Sequence, residues 1–307
     1  MSEEISCVIT MISHGDDIID ITSEDVQDFI SFDLHLETDI ALHSYRCQEW
    51  YVNIKSSEFN SILQKCKSNC VGKDYDLILQ KSEDQKNKKL FVFDMDSTLI
   101  YQEVIELIAS YANIEDKVAE ITERAMNGEL DFNESLKERV QLLKGIDSTN
   151  IWKELKEKIE ITNGVKPLVK ALKKLGCTLA VCSGGFTPLA EHIKEELGLD
   201  YAYANNLGVD ENLILNGETI GRIVNGDIKA ELLLEIAKKH NIDPKQAVAI
   251  GDGANDLKMM SVAGFGIAWN AKPKVQLEAL ACLNTKSLLD VLYIMGYNEK
   301  QIEELIK

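Results

Sequence analysis

Leu90-Phe-Val-Phe-Asp-Met-Asp-Ser-Thr-Leu-Ile100 sets two carboxylates, Asp94 and Asp96, directly after a short apolar run. Such a run reads as a strand buried on both faces, as in a parallel sheet. Ligands of open α/β sheets bind outside the carboxyl ends of the strands, so this register aims both aspartates at a crevice, with Ser97 and Thr98 beside them. Aspartates at strand ends also serve as helix N-caps, and the stretch alone does not choose between the two roles. Its companions downstream do.

Two later apolar runs end in the same way. Thr178-Leu-Ala-Val-Cys182 leads into Ser183-Gly184-Gly185, where small residues let the backbone approach an anion and a helix start offers free N–H groups. Ala247-Val-Ala-Ile250 leads into Gly251-Asp-Gly-Ala-Asn-Asp256, a glycine turn presenting Asp252 and Asp256. Acidic oxygens of this kind suit Mg²⁺, which keeps several waters and takes one or two protein carboxylates. Between these runs, Lys229 opens an amphipathic pattern through Leu232, Leu233 and Ile236, placed to turn an ammonium on the same anion. Taken singly, Ser183-Gly-Gly reads more readily as an ordinary turn, and Lys229 as a solvated charge. In this order, at these strand ends, the set supplies a nucleophile, an anion cradle, a cation and metal-binding acids.

The set resembles the phosphatases of the haloacid dehalogenase superfamily, which carry DxDx[TV], then Ser or Thr after the second strand, then Lys, then GDxxxD. The matching residues are Asp94, Asp96 and Thr98, then Ser183, then Lys229, then Asp252 and Asp256. The resemblance runs from roughly 88 to 292 and extends to the branch acting on phosphoserine. Glu103 ahead of Val104-Ile-Glu-Leu, Met126 and Phe132 around Asn127-Gly-Glu-Leu-Asp, Arg139 within Ser135-Leu-Lys-Glu-Arg-Val140, and the Gly251 to Asp256 turn carry that likeness.

The resemblance implies a doubly wound parallel α/β sheet of haloacid dehalogenase type, with Asp94 attacking phosphorus to form an aspartyl-phosphate. Asp96 is then the general acid and base, and Mg²⁺ is held by Asp94, Asp252 and the backbone carbonyl of Asp96. Ser183, the Gly184 amide and Lys229 are expected to bind the phosphoryl oxygens. Asn255, beside the substrate, and Asp256 are expected to orient the lysine and the metal's waters, with Thr98 in support. Glu103 and Arg139 would read the ammonium and carboxylate of the substrate between the apolar walls Met126 and Phe132. The expected reaction is hydrolysis of O-phosphoserine, the last step of serine biosynthesis. Another small-molecule phosphatase or phosphotransferase remains open, as does an amino-acid-sensing regulatory protein. Without the resemblance, Glu103 reads as a helix cap and Arg139 as a solvated partner of Glu138 or Ser135.

Composition bounds the partners. The chain has 307 residues, enough for two domains, and a formal net charge of −18. That charge argues against nucleic acid and anionic membranes, and a negative substrate must be drawn in by local groups. Seven cysteines without a CxxC pair read as reduced thiols of a cytoplasmic protein. Cys66 and Cys70, four apart on an expected helix, read as core. Residues 1 to 30 are acidic and lack a leader pattern, and no apolar run is long enough for a bilayer span. A small-molecule substrate is the expected partner, and a homodimer is left open.

Ser82-Glu-Asp-Gln-Lys-Asn-Lys88 reads as a linker. It separates an N-terminal unit, 1–84, from a phosphatase core, 89–307. The N-terminal pattern predicts strands at Ile5–Ile12, Phe32–Leu36, Trp50–Ile54 and Tyr75–Leu79, with helices at Glu24–Ser31 and Ser57–Lys67. That is the βαββαβ order of a ferredoxin-like α+β domain, similar in topology to ACT-type regulatory domains. His14 reads as a loop residue there. Helical periodicity across about 103–163 predicts a cap inserted after the first core strand, over the crevice. Beyond it, Leu207 to Val224 predicts a hairpin turning at Asn216-Gly217, and the C-terminal pattern predicts helices at Val275–Ala281, Ser287–Met295 and Glu299–Ile306.

Overall fold

The structure is a computed structural model that describes residues 3–15, 36–44, 46–126 and 129–307. The expected helix Glu24–Ser31 and most of the expected strand Phe32–Leu36 lie outside the described residues.

An antiparallel sheet opens the chain, built from β1 (Glu4–Ser13), β2 (Leu36–Ser44), β3 (Cys47–Lys55) and β4 (Tyr75–Lys81) in the order β2-β3-β1-β4. Helix α1 (Phe59–Cys70) joins β3 to β4. The β1 and β3 side chains alternate between two buried faces. Ile9, Met11 and Trp50 pack with Ile62 and Leu63 of α1, and Cys66 lies in that core as a free thiol. Ile12, Cys47 and Ile78 join the main core of the rest of the chain instead.

Polar contacts reinforce that second face. Asn284 donates to Asp76 from its backbone at 2.6 Å and from its side chain at 2.9 Å, while Arg46 pairs with Asp290 at 2.9 Å. His14 is half-buried, its Nε2 3.0 Å from Asp76. The polar stretch after β4 is packed: Lys88 is buried, donating to Gln80 Oε1 at 2.9 Å and to the Asp84 carbonyl at 2.7 Å, and Gln85 donates to buried Glu49. Burial pulls the Lys88 ammonium down to about 8, against the charge of Asp84. Composition reads this stretch as a linker; Gln80 of β4 and Glu49 of β3 instead hold it against the first sheet.

The second sheet contains β5 (Leu90–Phe93), β6 (Thr178–Phe186), β7 (Tyr201–Val209), β8 (Leu215–Ile220), β9 (Ala247–Gly251), β10 (Phe265–Trp269) and β11 (Ala281–Leu283). Their order is β11-β10-β9-β5-β6-β7-β8, all parallel except the β7–β8 pair. From β5 the chain moves to β6 on one side and later returns to β9 on the other. A topological switch point, where such sheets open a ligand crevice, therefore lies beside β5. Every β5 residue is fully buried, as its unbroken apolar run requires.

Between β5 and β6 stand the helices α2 (Val104–Ala112), α3 (Glu115–Met126), α4 (Phe132–Gln141) and α5 (Ser148–Lys158). Helix α4 starts on a capping box, in which Asp131 and Glu134 each accept the other's backbone N–H. The segments entering and leaving this insertion pair with each other: Tyr101 N–H donates to the Glu160 carbonyl and Thr162 N–H to that of Leu99. Helices α6 (Val165–Lys174), α7 (Thr187–Leu197), α8 (Gly226–Lys239), α9 (Leu257–Val262), α10 (Pro273–Glu278), α11 (Val291–Ile294) and α12 (Glu299–Ile306) complete the chain.

Two expectations are corrected. The hairpin does not turn at Asn216-Gly217, which lies within β8. It turns at Asp210–Ile214, where the Asp210 carboxylate accepts the N–H groups of Asn212 and Ile214 and Leu213 takes φ 62°. An Asx-turn of this kind uses a cue that also fits an ordinary loop. The expected helix Val275–Ala281 ends at Glu278, and Ala281–Leu283 forms the edge strand β11.

Candidate active site

Adjacent parallel strands bring their carboxyl ends to one level. Phe93 pairs with Val181 of β6 and Ile250 of β9, and the Asp94 N–H donates to the Ile250 carbonyl at 2.8 Å. Asp94, Ser183-Gly184-Gly185 and Asp252 consequently meet around a cavity of about 130 Å³, with Glu103, Phe132 and Arg139 of the insertion on its walls.

Lys229 lies in the first turns of α8, whose start is fixed by the Asn225 side chain accepting the Ile228 N–H. Its ammonium is fully buried, 2.7 Å from Asp94 Oδ1 and 2.7 Å from Asp256 Oδ1. Burial pulls that ammonium down, but the carboxylates of Asp256 and Asp94 and their hydrogen bonds outweigh it and hold it well above the usual lysine range. Asp94 Oδ1 also accepts the Met95 N–H at 2.8 Å, and Asp256 Oδ2 accepts the Gly253 N–H at 3.1 Å. The lysine is thus a fixed spacer between two acids.

Asp96 follows in a tight turn in which Ser97 takes φ 54°, a strained conformation for a non-glycine residue. Its Oδ2 accepts the Val104 N–H at the start of α2 at 3.0 Å, while buried Oδ1 has no partner. Burial, then the charges of Glu103 and Asp94, hold this carboxyl well above the usual carboxylate range, against the Val104 N–H and Lys229. A neutral acid with an open oxygen can give a proton and later take one back. The Thr98 hydroxyl, fully buried, is likewise without a partner among the described residues.

Asp94, Asp252 and Asp256 each offer an oxygen, all within 4.8 Å of one another. An all-oxygen, partly buried set of this kind fits a hard divalent cation. Burial, then Asp94 and Glu103, push the Asp252 carboxyl up to about 7, against Lys272 and Lys229. The side chain of Asp96 stands outside the trio.

Ser183 is fully buried, and its Oγ accepts the Gly185 N–H at 2.8 Å. A Cβ on Gly184 would come within 2.9 Å of the Phe132 ring, so glycine there permits close contact between strand and insertion. Asn255 stands by the same spot, with its side-chain nitrogen 3.9 Å from that Cβ position. Glu103 precedes α2 without capping it; it accepts the Ser97 hydroxyl at 2.7 Å. Arg139 does not pair with Glu138, which binds Arg124 instead. It donates to Thr122 Oγ1 at 3.0 Å, and its buried Nε has no partner among the described residues. Burial lowers its guanidinium and Glu103 raises it. Met126 closes α3, and its side chain lies outside the described residues.

The sequence reading missed Lys272, Phe186 and Leu136, which also line the cavity. Lys272 follows β10, the next parallel strand beyond β9, and the strand-end rule that picked out Asp94 applies there as well.

A family model described as haloacid dehalogenase-like hydrolase matches residues 88–264. The chain belongs to that family. It is 47% identical over 302 residues to the phosphoserine phosphatase of Saccharomyces cerevisiae, covering 96% of this chain and 97% of that one. Among solved structures, a haloacid dehalogenase family hydrolase from Salmonella enterica serovar Typhi superposes with TM-score 0.81 at 27% identity, over 94% of this chain and 98% of that one. A phosphoserine phosphatase carrying a phospho-aspartyl intermediate analogue is 42% identical with TM-score 0.63. It covers 67% of this chain and 98% of its own. None of the described helices is long and apolar enough to cross a membrane.

Proposed function

We propose that the chain is a Mg²⁺-dependent phosphoserine phosphatase, converting O-phospho-L-serine to L-serine and phosphate as the last step of serine biosynthesis. One observation carries the substrate assignment: Glu103 and Arg139, one charge of each sign, line the same small cavity as Asp94. A phosphomonoester needs an anion cradle; an amino acid attached to it needs both charges besides. The names of the yeast relative and of the solved structure support the same reading.

Asp94 attacks phosphorus through the oxygen that Lys229 leaves free, so the bond from Asp94 to phosphorus forms as the bond to the serine oxygen breaks. Asp96, held neutral, passes its proton to the departing serine oxygen. As the carboxylate it then takes a proton from the water that attacks the aspartyl-phosphate, which releases phosphate and restores both acids. The Ser183 hydroxyl, the Gly184 N–H and Lys229 hold the equatorial oxygens, where positioning and charge stabilisation supply most of the rate. Asp94, Asp252 and the Asp96 carbonyl would hold Mg²⁺, which when bound offsets repulsion between carboxylate and phosphate dianion. Asp256 keeps Lys229 in place, and Asn255 and Thr98 support the loops around it.

Phosphate release from a panel of phosphomonoesters, with Mg²⁺ and with chelator, tests this. Phosphoserine should give the highest kcat/KM, and chelator should abolish it. Equal rates on esters lacking the amino-acid group would overturn the substrate assignment.

A further inference from the structure

We propose that Lys272 is a phosphate-capture residue, a free ammonium at the core-side rim that draws the substrate's phosphate dianion in and detains the phosphate product on its way out. This deepens the phosphomonoester reading and rests on it. Among the described residues lining the cavity, the cations are Arg139 and Lys272, facing the acids Asp94, Asp96, Glu103 and Asp252. Arg139 is engaged on the insertion side with Thr122 and the charge of Glu103. Lys229 is fully buried between Asp94 and Asp256, behind the cavity lining, and so offers no charge at the rim. With a net charge of −18 over the chain, a dianion approaches against the overall field, so an uncommitted local cation has most effect at the rim.

The attachment of Lys272 is rigid while its side chain is free. Its N–H donates to the Asp252 carbonyl at 3.3 Å, and its own carbonyl accepts the N–H groups of Val275 at 2.9 Å and Gln276 at 3.1 Å. Pro273 opens α10 and holds Lys272 extended at φ −60°, ψ 147°. The preceding carbonyl, of Ala271, accepts the Gln276 side chain at 2.8 Å. The lysine side chain is exposed and makes no hydrogen bond or ion pair among the described residues, yet its charge is felt at Asp252. A cation anchored beside the acids and left unpaired fits a transient anion contact better than a structural one.

The test compares the full chain with Lys272→Met and Lys272→Arg, loaded with Mg²⁺. The readouts are kcat/KM for phosphoserine against ionic strength, and the affinity for inorganic phosphate by calorimetry. Lys272→Met should lower kcat/KM by about tenfold at low salt, flatten its salt dependence and weaken phosphate binding, with KM rising more than kcat falls. Lys272→Arg should restore all of these. Unchanged salt dependence and phosphate affinity in Lys272→Met would overturn the proposal. So would a joint loss of kcat and Mg²⁺ affinity at normal phosphate affinity, because Lys272 would then act through Asp252. If the wild-type chain bound phosphate through Lys272 but did not turn over phosphoserine, the substrate assignment alone would fail.

Discussion

Lys229 Nζ and Asp94 Oδ1 stand 2.7 Å apart in a fully buried contact. The acid we propose to attack phosphorus is therefore ion-paired on one oxygen and free of hydrogen bonds from the described residues on the other. Asp94→Asn preserves the shape and can still accept the lysine's hydrogen bond, but the amide cannot attack. Phosphate release should fall at least about a thousandfold while circular dichroism stays native. A folded variant with near-normal turnover would exclude the aspartyl-phosphate route.

Arg139 supplies the charge that would meet the substrate carboxylate. Truncating one member of a desolvated charge pair costs about 2 to 5 kcal/mol. Arg139→Ala should then lower kcat/KM for phosphoserine by roughly thirtyfold to several thousandfold, and affect an ester without a carboxylate far less. Equal losses on both substrates would assign Arg139 to folding of the insertion or to phosphate binding.

As a proposed metal ligand, Asp252 should give metal binding its pH dependence. Its carboxyl is raised to about 7 by burial and neighbouring acids, and a carboxyl must lose its proton to bind a metal. Mg²⁺ affinity should be level above that pH and fall by about tenfold per unit below it. The sign for the stability of the metal-free protein is the opposite. With its pKa raised above the unfolded value, the metal-free protein loses stability as pH climbs from the ordinary carboxyl range through 7. Added Mg²⁺ should raise Tm more at pH 8 than at pH 6, and calorimetry across that range measures both effects. A metal affinity independent of pH would remove Asp252 from the ligand set.

A chain starting at Lys88 should still release phosphate in the presence of Mg²⁺, because every residue assigned to chemistry lies beyond it. The truncated chain should nonetheless melt lower, since Gln80 and Asp84, the partners of the Lys88 ammonium, are gone and the core surface against Ile12 and Ile78 is laid open. A folded but inactive fragment would show that the first sheet completes the site.

Much of the candidate site was legible because its residues are set by local sequence. Asp94, Ser183 and Asp252 each follow an apolar strand within a few residues, and parallel pairing carries such ends to one crevice whatever the intervening chain does. Lys272 obeys the same geometry without a recognisable motif and escaped notice. The contacts of Glu103 and Arg139 were not legible: Ser97 and Thr122 reach them through a strained turn and a helix pairing that no periodicity encodes. For the same reason Gln85 and Lys88 read as part of a polar linker, although Glu49 and Gln80 hold them in buried hydrogen bonds. The hairpin was misjudged because Asn-Gly is a strong turn dipeptide, and a single Asp210 side chain outcompeted it.

The sheet that opens the chain is buried on both faces along the Cys7–Ser13 stretch of β1. One side is closed by α1, and the other shares the main core through Ile12, Cys47 and Ile78, tied by Asp76 to Asn284 and by Arg46 to Asp290. Heat cannot detach it without exposing apolar surface on both partners and stranding Asp76 and Asp290, so the two sheets should unfold as one cooperative unit. Calorimetry should record a single endotherm for the full chain; two resolved transitions would mean that the shared face contributes little.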